Sequence, residues 1–257
     1  SLGYSSICNG VTLEGENNGA GAGVAPLGIG NNQLYGPTTL FYDGASAPGG
    51  VIVEQGPMHS VRVKNLTLDV NNKGAGITVN QVAYFEINRV YITNYQSRGV
   101  YLTDTAVAAS VHGTQGRIES VHTVETADAN AVGIYIGGGA SGVCVCSVDI
   151  ANSSFNYGNS ANGRGMYANF ADNINIENTN FINLTGSGLG YGIEVVPATN
   201  RAFPQEFNLS RVSFTRGILG TVGTGGATLS GATLSDCGGD KCGPLNLYNV
   251  RGMSNYG

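Results

Sequence analysis

The stretches Val63-Lys64-Asn65-Leu66-Thr67-Leu68 and Ile87-Asn88-Arg89-Val90-Tyr91-Ile92 decide the fold, because both are copies of one six-residue pattern. An apolar residue opens the pattern, asparagine or a substitute stands third, and a second apolar residue closes it. Further copies begin at Ile118, Ile150, Ile176 and Leu209, and weaker copies lie at Leu229–Leu234 and Leu247–Gly252. The third positions of successive copies are 18 to 33 residues apart, a spacing typical of repeat proteins.

A second element, Gly-apolar-any-apolar, follows each of five consecutive copies. It occupies residues 76–79, 99–102, 133–136, 165–168 and 192–195. Each repeat therefore reads as two or three short strands joined by turns of variable length. Such strands cannot bury a face alone, so they must stack on the next repeat. The pattern predicts an all-β solenoid rather than a sandwich, which would need regularly spaced hairpin strands.

Composition supports this class and excludes others. Glycine accounts for 41 of 257 residues and charged residues for 11%, which disfavours a helical protein. The 41% of hydrophobic residues excludes a disordered chain. A pI near 5.1 with scattered basic residues disfavours nucleic acid as a partner. No apolar run is long enough for a membrane span, so we expect no membrane insertion.

The third position of the pattern is a candidate turn. Asparagine tolerates unusual backbone dihedral angles and bonds to its neighbours, and it stands there at positions 65, 152, 178 and 249, with other residues at 89, 120, 211 and 231. We expect the turn asparagines to be buried, so that the sequons at Asn65 and Asn152 would be closed to a glycan.

With these repeats, and with opening segments at 10–16 and 38–43, the sequence resembles the pectate-lyase-like superfamily, including phage tailspikes. The resemblance implies a single-stranded right-handed parallel β-helix of about eight or more coils with variable loops. We predict one domain over 1–257, with irregular first coils at 1–60, regular coils at 61–216 and shorter, looser coils at 217–257. The superfamily's usual N-terminal cap motif is missing, which suggests a partner chain or removed residues.

The sharpest functional feature is the middle position of the second element, which points outward in a strand. It reads Thr78, Tyr101, Tyr135, Tyr167 and Glu194 in consecutive repeats. We expect a flat aromatic strip ending in an acid, because like positions stack about 4.8 Å apart. Sugars stack on aromatic faces, so the three tyrosines are candidate substrate-binding residues. The alternative is that they only stabilise the sheet by stacking on one another.

Candidate catalytic acids lie near this strip. They are Glu194, with Asp104 or Asp172. Asp104 opens a loop that also carries His112, a further candidate substrate-binding residue. Galacturonan-cleaving motifs are absent from the sequence. No CxxC pair occurs and the histidines share no spacing, so we predict no metal site and no cofactor. Cys237 and Cys242 are compatible with a disulfide or with loose metal binding.

Three functions remain open. The first is a tailspike-like protein, extracellular or on a virion surface, that binds a bacterial surface polysaccharide, with or without cleaving it. We expect it to be a homotrimer or another homo-oligomer. The second is a secreted monomeric lyase, hydrolase or epimerase, and the third is a structural adhesin or filament subunit. One scaffold hosts many functions, so the fold does not choose among them.

Overall fold

A computed structural model describes the chain in sixteen segments. They are residues 10–15, 38–58, 60–105, 114–126, 128–138, 145–158, 160, 162–169, 171–182, 191–196, 207–214, 218–220, 229–230, 233–234, 245–248 and 251–252. In these segments the chain forms strands and turns and no helix. The all-β class is therefore confirmed.

Thirteen of the described strands form the larger sheet. They are β1 (Val11–Glu14), β2 (Thr39–Phe41), β4 (Val61–Asp69), β6 (Phe85–Tyr95), β8 (Thr114–Thr126), β10 (Val145–Ala151), β11 (Ser154–Asn156), β13 (Ala171–Glu177), β14 (Asn180–Ile182), β16 (Phe207–Ser210), β17 (Ser213–Phe214), β21 (Leu245–Tyr248) and β22 (Arg251–Gly252).

Seven others form the second sheet. They are β3 (Ile52–Met58), β5 (Ile77–Val82), β7 (Arg98–Asp104), β9 (Val132–Gly138), β12 (Arg164–Asn169), β15 (Tyr191–Val196) and β18 (Ile218–Gly220). Between β4 and β18 the chain passes back and forth between the two sheets, so each repeat contributes to both.

Neighbouring strands within both sheets are parallel. Their register is regular from repeat to repeat, apart from shifts at Val145–Val148, where β10 pairs with β8, and at Gln55–Met58, where β3 pairs with β5. In the larger sheet, one core column runs through Val63, Ile87, Ile118, Ile150, Ile176 and Leu209. In the second sheet, another runs through Ile77, Val100, Ile134, Met166 and Ile193. All of these side chains are buried in one hydrophobic cluster. The core therefore lies where the inward faces of the two sheets meet.

In the six copies where the structure describes it, the third position of the sequence pattern adopts a left-handed backbone conformation, as the turn prediction requires. Positions 231 and 249 lie outside the described residues. The φ angles are 54° at Asn65, 53° at Arg89, 54° at Ser120, 51° at Asn152, 46° at Asn178 and 54° at Arg211. Non-asparagine residues adopt it too, so repeat geometry imposes the conformation and asparagine merely suits it. In the earlier repeats the strand continues through this residue, and β6 and β8 run through it for 11 and 13 residues. At Asn152, Asn178 and Arg211 the strand is interrupted, and a separate short strand follows.

Two expectations about the repeats are wrong. The turn asparagines are not buried: Asn65 is partly exposed and Asn152 and Asn178 are exposed, because their side chains bond along the surface, with Asn178 Nδ2 donating to Asn152 Oδ1 at 2.7 Å. The weak copy at Leu229–Leu234 is not a parallel repeat. Its two strands, β19 (Leu229–Ser230) and β20 (Thr233–Leu234), pair antiparallel with each other.

The glycine that opens the second element is required by close packing. A Cβ added to Gly165 would lie 2.5 Å from Gly192 O and 2.6 Å from Phe181 Cβ, and one added to Gly133 would lie 2.7 Å from Phe155 Cβ. Only glycine lets the chain turn this closely past the core into the second sheet.

Candidate functional site

Three tyrosines lie side by side on adjacent strands of the second sheet. Tyr101 pairs with Tyr135, and Tyr135 pairs with Tyr167. Thr78 precedes them in the column and Glu194 follows them. All three tyrosines are partly exposed, whereas their neighbours on each strand belong to the core. We call Tyr101, Tyr135 and Tyr167 the tyrosine ridge.

The rings of the ridge pack on one another. Tyr135 and Tyr167 are stacked, with centroids 4.7 Å apart and planes at 29°. Tyr101 meets Tyr135 edge-on, at 5.1 Å and 88°. The expected flat strip is therefore only partly right: the register is as expected, but Tyr135 and Tyr167 cover part of each other's faces. A ligand would meet ring edges and phenol groups as well as faces.

Arg98 lies against the first two rings of the ridge. Its guanidinium carbon is 4.3 Å from the centroid of Tyr101 and 4.6 Å from that of Tyr135. Both distances fall within the range of cation–π attraction. Arg98 is partly exposed, so it brings positive charge to the surface of the ridge.

The other end of the ridge holds an ion pair. Arg164 is 8% exposed, and its Nε donates to Glu194 while its Nη1 donates to Gly163 O at 2.9 Å. Glu194 follows Tyr167 in the column. The carboxylate of Glu194 is thus held by a buried guanidinium, an arrangement that orients it and balances its charge.

A second row of residues lies beside the tyrosine ridge, two positions further along each strand. It runs through Asn80, Thr103, Gly137 and Asn169. A Cβ added to Gly137 would lie 2.5 Å from Tyr135 Cε1, so the ring of Tyr135 lies over this glycine. Oδ1 of Asn169 is buried and makes no hydrogen bond with the described protein atoms.

Both stacked phenols have raised pKa values. Burial is the main cause of the raised pKa of Tyr135; Tyr167 and Tyr101 add to it, and Arg98 opposes it. Burial and then Glu194 raise the pKa of Tyr167, while Arg164 and a hydrogen bond with Asn169 oppose the rise. The ridge therefore offers neutral hydroxyl groups in the ordinary pH range.

Asp104 lies at the end of β7 and is fully buried. Its Oδ2 accepts hydrogen bonds from the backbone N–H of Thr114 at 3.0 Å and from the Thr114 hydroxyl at 3.3 Å. This bond joins the end of β7 to the start of β8. In this position Asp104 ties two chain segments together.

The remaining candidate residues do not join Glu194 within the described chain. Asp172 belongs to β13 in the larger sheet, where it pairs with Cys146, and so lies on a different sheet from Glu194. His112 lies outside the described residues. The structure brings together the three tyrosines and Glu194. It places Asp104 at a buried strand end and Asp172 in the other sheet, and the catalytic roles of these acids stay predictions.

Sequence reasoning missed the two arginines of the site. Both precede a ridge tyrosine by three residues, in Arg98-Gly-Val-Tyr101 and Arg164-Gly-Met-Tyr167. This recurring Arg-Gly-apolar-Tyr signal was available in the sequence. Because the strands of the second sheet are in register here, this signal places an arginine beside each end of the tyrosine ridge.

Cys146 is disulfide-bonded, and every other cysteine lies outside the described residues. The described segments contain no group of three or more His, Cys, Asp or Glu residues arranged to hold a metal ion. Among these segments there is also no helix long and apolar enough to cross a membrane. Comparison with protein-family models, with curated proteins and with solved structures finds no match.

Proposed function

We propose that this protein is a carbohydrate-recognising, single-stranded right-handed parallel β-helix that resembles tailspikes of the pectate-lyase-like superfamily. The tyrosine ridge is its binding surface. One observation carries the proposal: three partly exposed tyrosines stand in register on an outward column, with Arg98 against their rings. Aromatic rings with polar handles are the side chains that proteins use to bind ligands with both apolar and hydroxyl-rich faces.

The path of the chain supports the helical fold. Successive strands alternate between two parallel sheets, and each strand pairs with its counterpart one repeat away. This path supports a chain that winds around a common core. Parallel crossovers are right-handed in nearly all proteins, which favours the right-handed form.

Recognition is better supported than cleavage. Most glycoside hydrolases use two carboxyl groups that flank the bond to be cleaved. Here Glu194 is engaged by Arg164, Asp104 is buried against Thr114, and Asp172 lies on the other sheet. Hydrolysis of this kind within one chain would require a second carboxyl group that these contacts do not supply beside Glu194.

The assembly and location belong to the same proposal. A disulfide at Cys146 suits an oxidising compartment, which supports an extracellular or virion-surface protein. We propose a homotrimer, as in tailspikes. Light scattering of the purified chain tests this: a mass of three chains is expected, and a monomeric mass would contradict the trimer and favour the secreted, monomeric alternative.

A glycan array tests recognition itself. We expect the chain to bind at least one bacterial surface polysaccharide, and we expect Tyr167→Ala to weaken that binding about tenfold or more, as for the loss of an interface hot spot. Tyr84→Ala is the matched control, because Tyr84 is 43% exposed but lies outside the ridge. Failure to bind any glycan, or equal losses from both variants, would overturn the proposal. Release of oligosaccharides from a bound polymer would reopen the enzymatic alternative.

A further inference from the structure

The two arginines of the site, Arg98 and Arg164, lie at the same register position of the second sheet but differ in their partners. Arg98 pairs in register with Val132, which pairs with Arg164. Arg164 is buried and neutralised by Glu194. Arg98 is partly exposed and, among the described residues, forms no ion pair. The ridge therefore carries an unbalanced positive charge at one end and a balanced pair at the other.

The contacts of Arg98 leave its donors available. The guanidinium carbon lies over the rings of Tyr101 and Tyr135, which meet each other at 88°, and among the described residues the guanidinium forms no ion pair. The five N–H donors project from its edge in a rigid fork that matches a carboxylate, sulfate or phosphate group. Because two rings already hold the guanidinium, little side-chain entropy remains to be lost when an anion binds.

We propose that the tyrosine ridge binds an anionic saccharide in a single direction, with the acidic substituent on Arg98 and a neutral, hydroxyl-bearing part at the Arg164–Glu194 pair. This inference rests on the proposed function. Glu194 repels an acidic group at its own end and accepts hydrogen bonds from hydroxyl groups. The strands that carry Arg98 and Glu194 are three spacings apart in the sheet, about 14 Å at the usual spacing of paired strands.

The test uses short oligosaccharides that carry one uronate or sulfated unit, and the same compounds after carboxyl reduction or desulfation. We expect the chain to bind the anionic form about tenfold more tightly, with an affinity that falls as salt is raised. Arg98→Gln should abolish both the preference and the salt dependence, so that the anionic form binds no more tightly than the neutral form. Arg98→Lys should keep the salt dependence with reduced affinity.

Arg89→Gln is the control for net charge, because Arg89 is an exposed arginine at a turn of the larger sheet. It should leave the preference unchanged. Direction is tested by placing the acidic unit at one end of the oligosaccharide or at the other: only one isomer should bind tightly.

The outcomes separate this inference from the function on which it rests. Binding of neutral and anionic forms with equal affinity, or an anion preference that survives Arg98→Gln, would overturn the charge assignment and leave carbohydrate recognition intact. Equal binding of the two isomers would overturn the single direction. Absence of binding to every compound would overturn both proposals.

Discussion

Two aromatic stacks occur on the same repeats, one inside the protein and one outside. Phe155 and Phe181 are in register and stacked, with centroids 5.7 Å apart and planes at 19°, and both are fully buried. Tyr135 and Tyr167 are also in register and stacked, at 4.7 Å and 29°, but they are partly exposed. Similar ring geometry therefore arises in two different environments.

The difference shows which stack the fold needs. The Cβ atoms of Phe155 and Phe181 lie against Gly133 and Gly165, at the start of the strands that carry Tyr135 and Tyr167. The inner stack thus supports the strands of the ridge. The outer stack contacts Arg98 and Gly137, and its rings do not belong to the hydrophobic core cluster. This is why we assign stability to the phenylalanines and recognition to the tyrosines.

The largest expected effect comes from truncating the inner stack. Phe155→Ala should lower the free energy of unfolding by about 3–5 kcal/mol, because a buried ring is replaced by a cavity. Urea unfolding followed by circular dichroism measures this. Phe155→Leu, which keeps most of the volume, should cost much less. A loss below about 1 kcal/mol for Phe155→Ala would remove the distinction between the stacks.

Acid should weaken the inner region through a buried histidine. His122 pairs with Ser154, next to Phe155, and burial lowers the pKa of His122 from 6.5 to about 4. Between these values the unfolded chain binds the proton and the folded chain does not. Stability from the neutral ring is complete above about pH 6.5 and is lost as pH falls toward 4, by up to about 3 kcal/mol.

Replacing this histidine isolates its contribution from that of the carboxyl groups. In His122→Gln the difference in unfolding free energy between pH 7 and pH 4 should shrink by up to about 3 kcal/mol. An unchanged pH profile would show that the imidazole is not protected from protonation in the folded chain.

Substitutions at the left-handed turn residues should have an intermediate effect on the free energy of unfolding. Asn178 has a φ of 46° and donates to Asn152. Asn178→Val should cost about 2 kcal/mol, because a branched side chain is strained in this conformation and the hydrogen bond is lost. Asn178→Gly, which accepts the conformation, should cost well under half as much. Equal melting temperatures for the two variants would show that the backbone conformation is not the constraint.

The smallest effect should come from the ridge. Tyr135→Ala should lower the free energy of unfolding by at most about 1 kcal/mol, the usual contribution of a cross-strand aromatic pair at a surface. Thermal unfolding measures this, with Tyr135→Phe as the control that keeps the ring. A loss as large as that of Phe155→Ala would make the outer stack structural, as in the alternative left open by the sequence.

The sequence predicts the repeat and its register, because they depend on backbone periodicity. The turn residues at the third positions of the pattern, from Asn65 to Arg211, have the left-handed conformation that the pattern predicts. The three tyrosines of the ridge are also in register, as the pattern predicts. Ring orientation could not be predicted, since it depends on the room over Gly137 and on Arg98. Nor could the partner of Asp104, since Thr114 is brought to it only by the fold. The arginine beside Glu194, by contrast, could have been found from the recurring Arg-Gly-apolar-Tyr signal.

The most direct test of the account measures two free energies for Tyr135→Ala: that of unfolding, and that of binding to a saccharide selected on the glycan array. We expect the unfolding free energy to stay within about 1 kcal/mol of the parent chain while affinity falls about tenfold or more. Unchanged affinity, or a loss of affinity that only follows a loss of folding, would contradict the assignment of the tyrosine ridge to recognition.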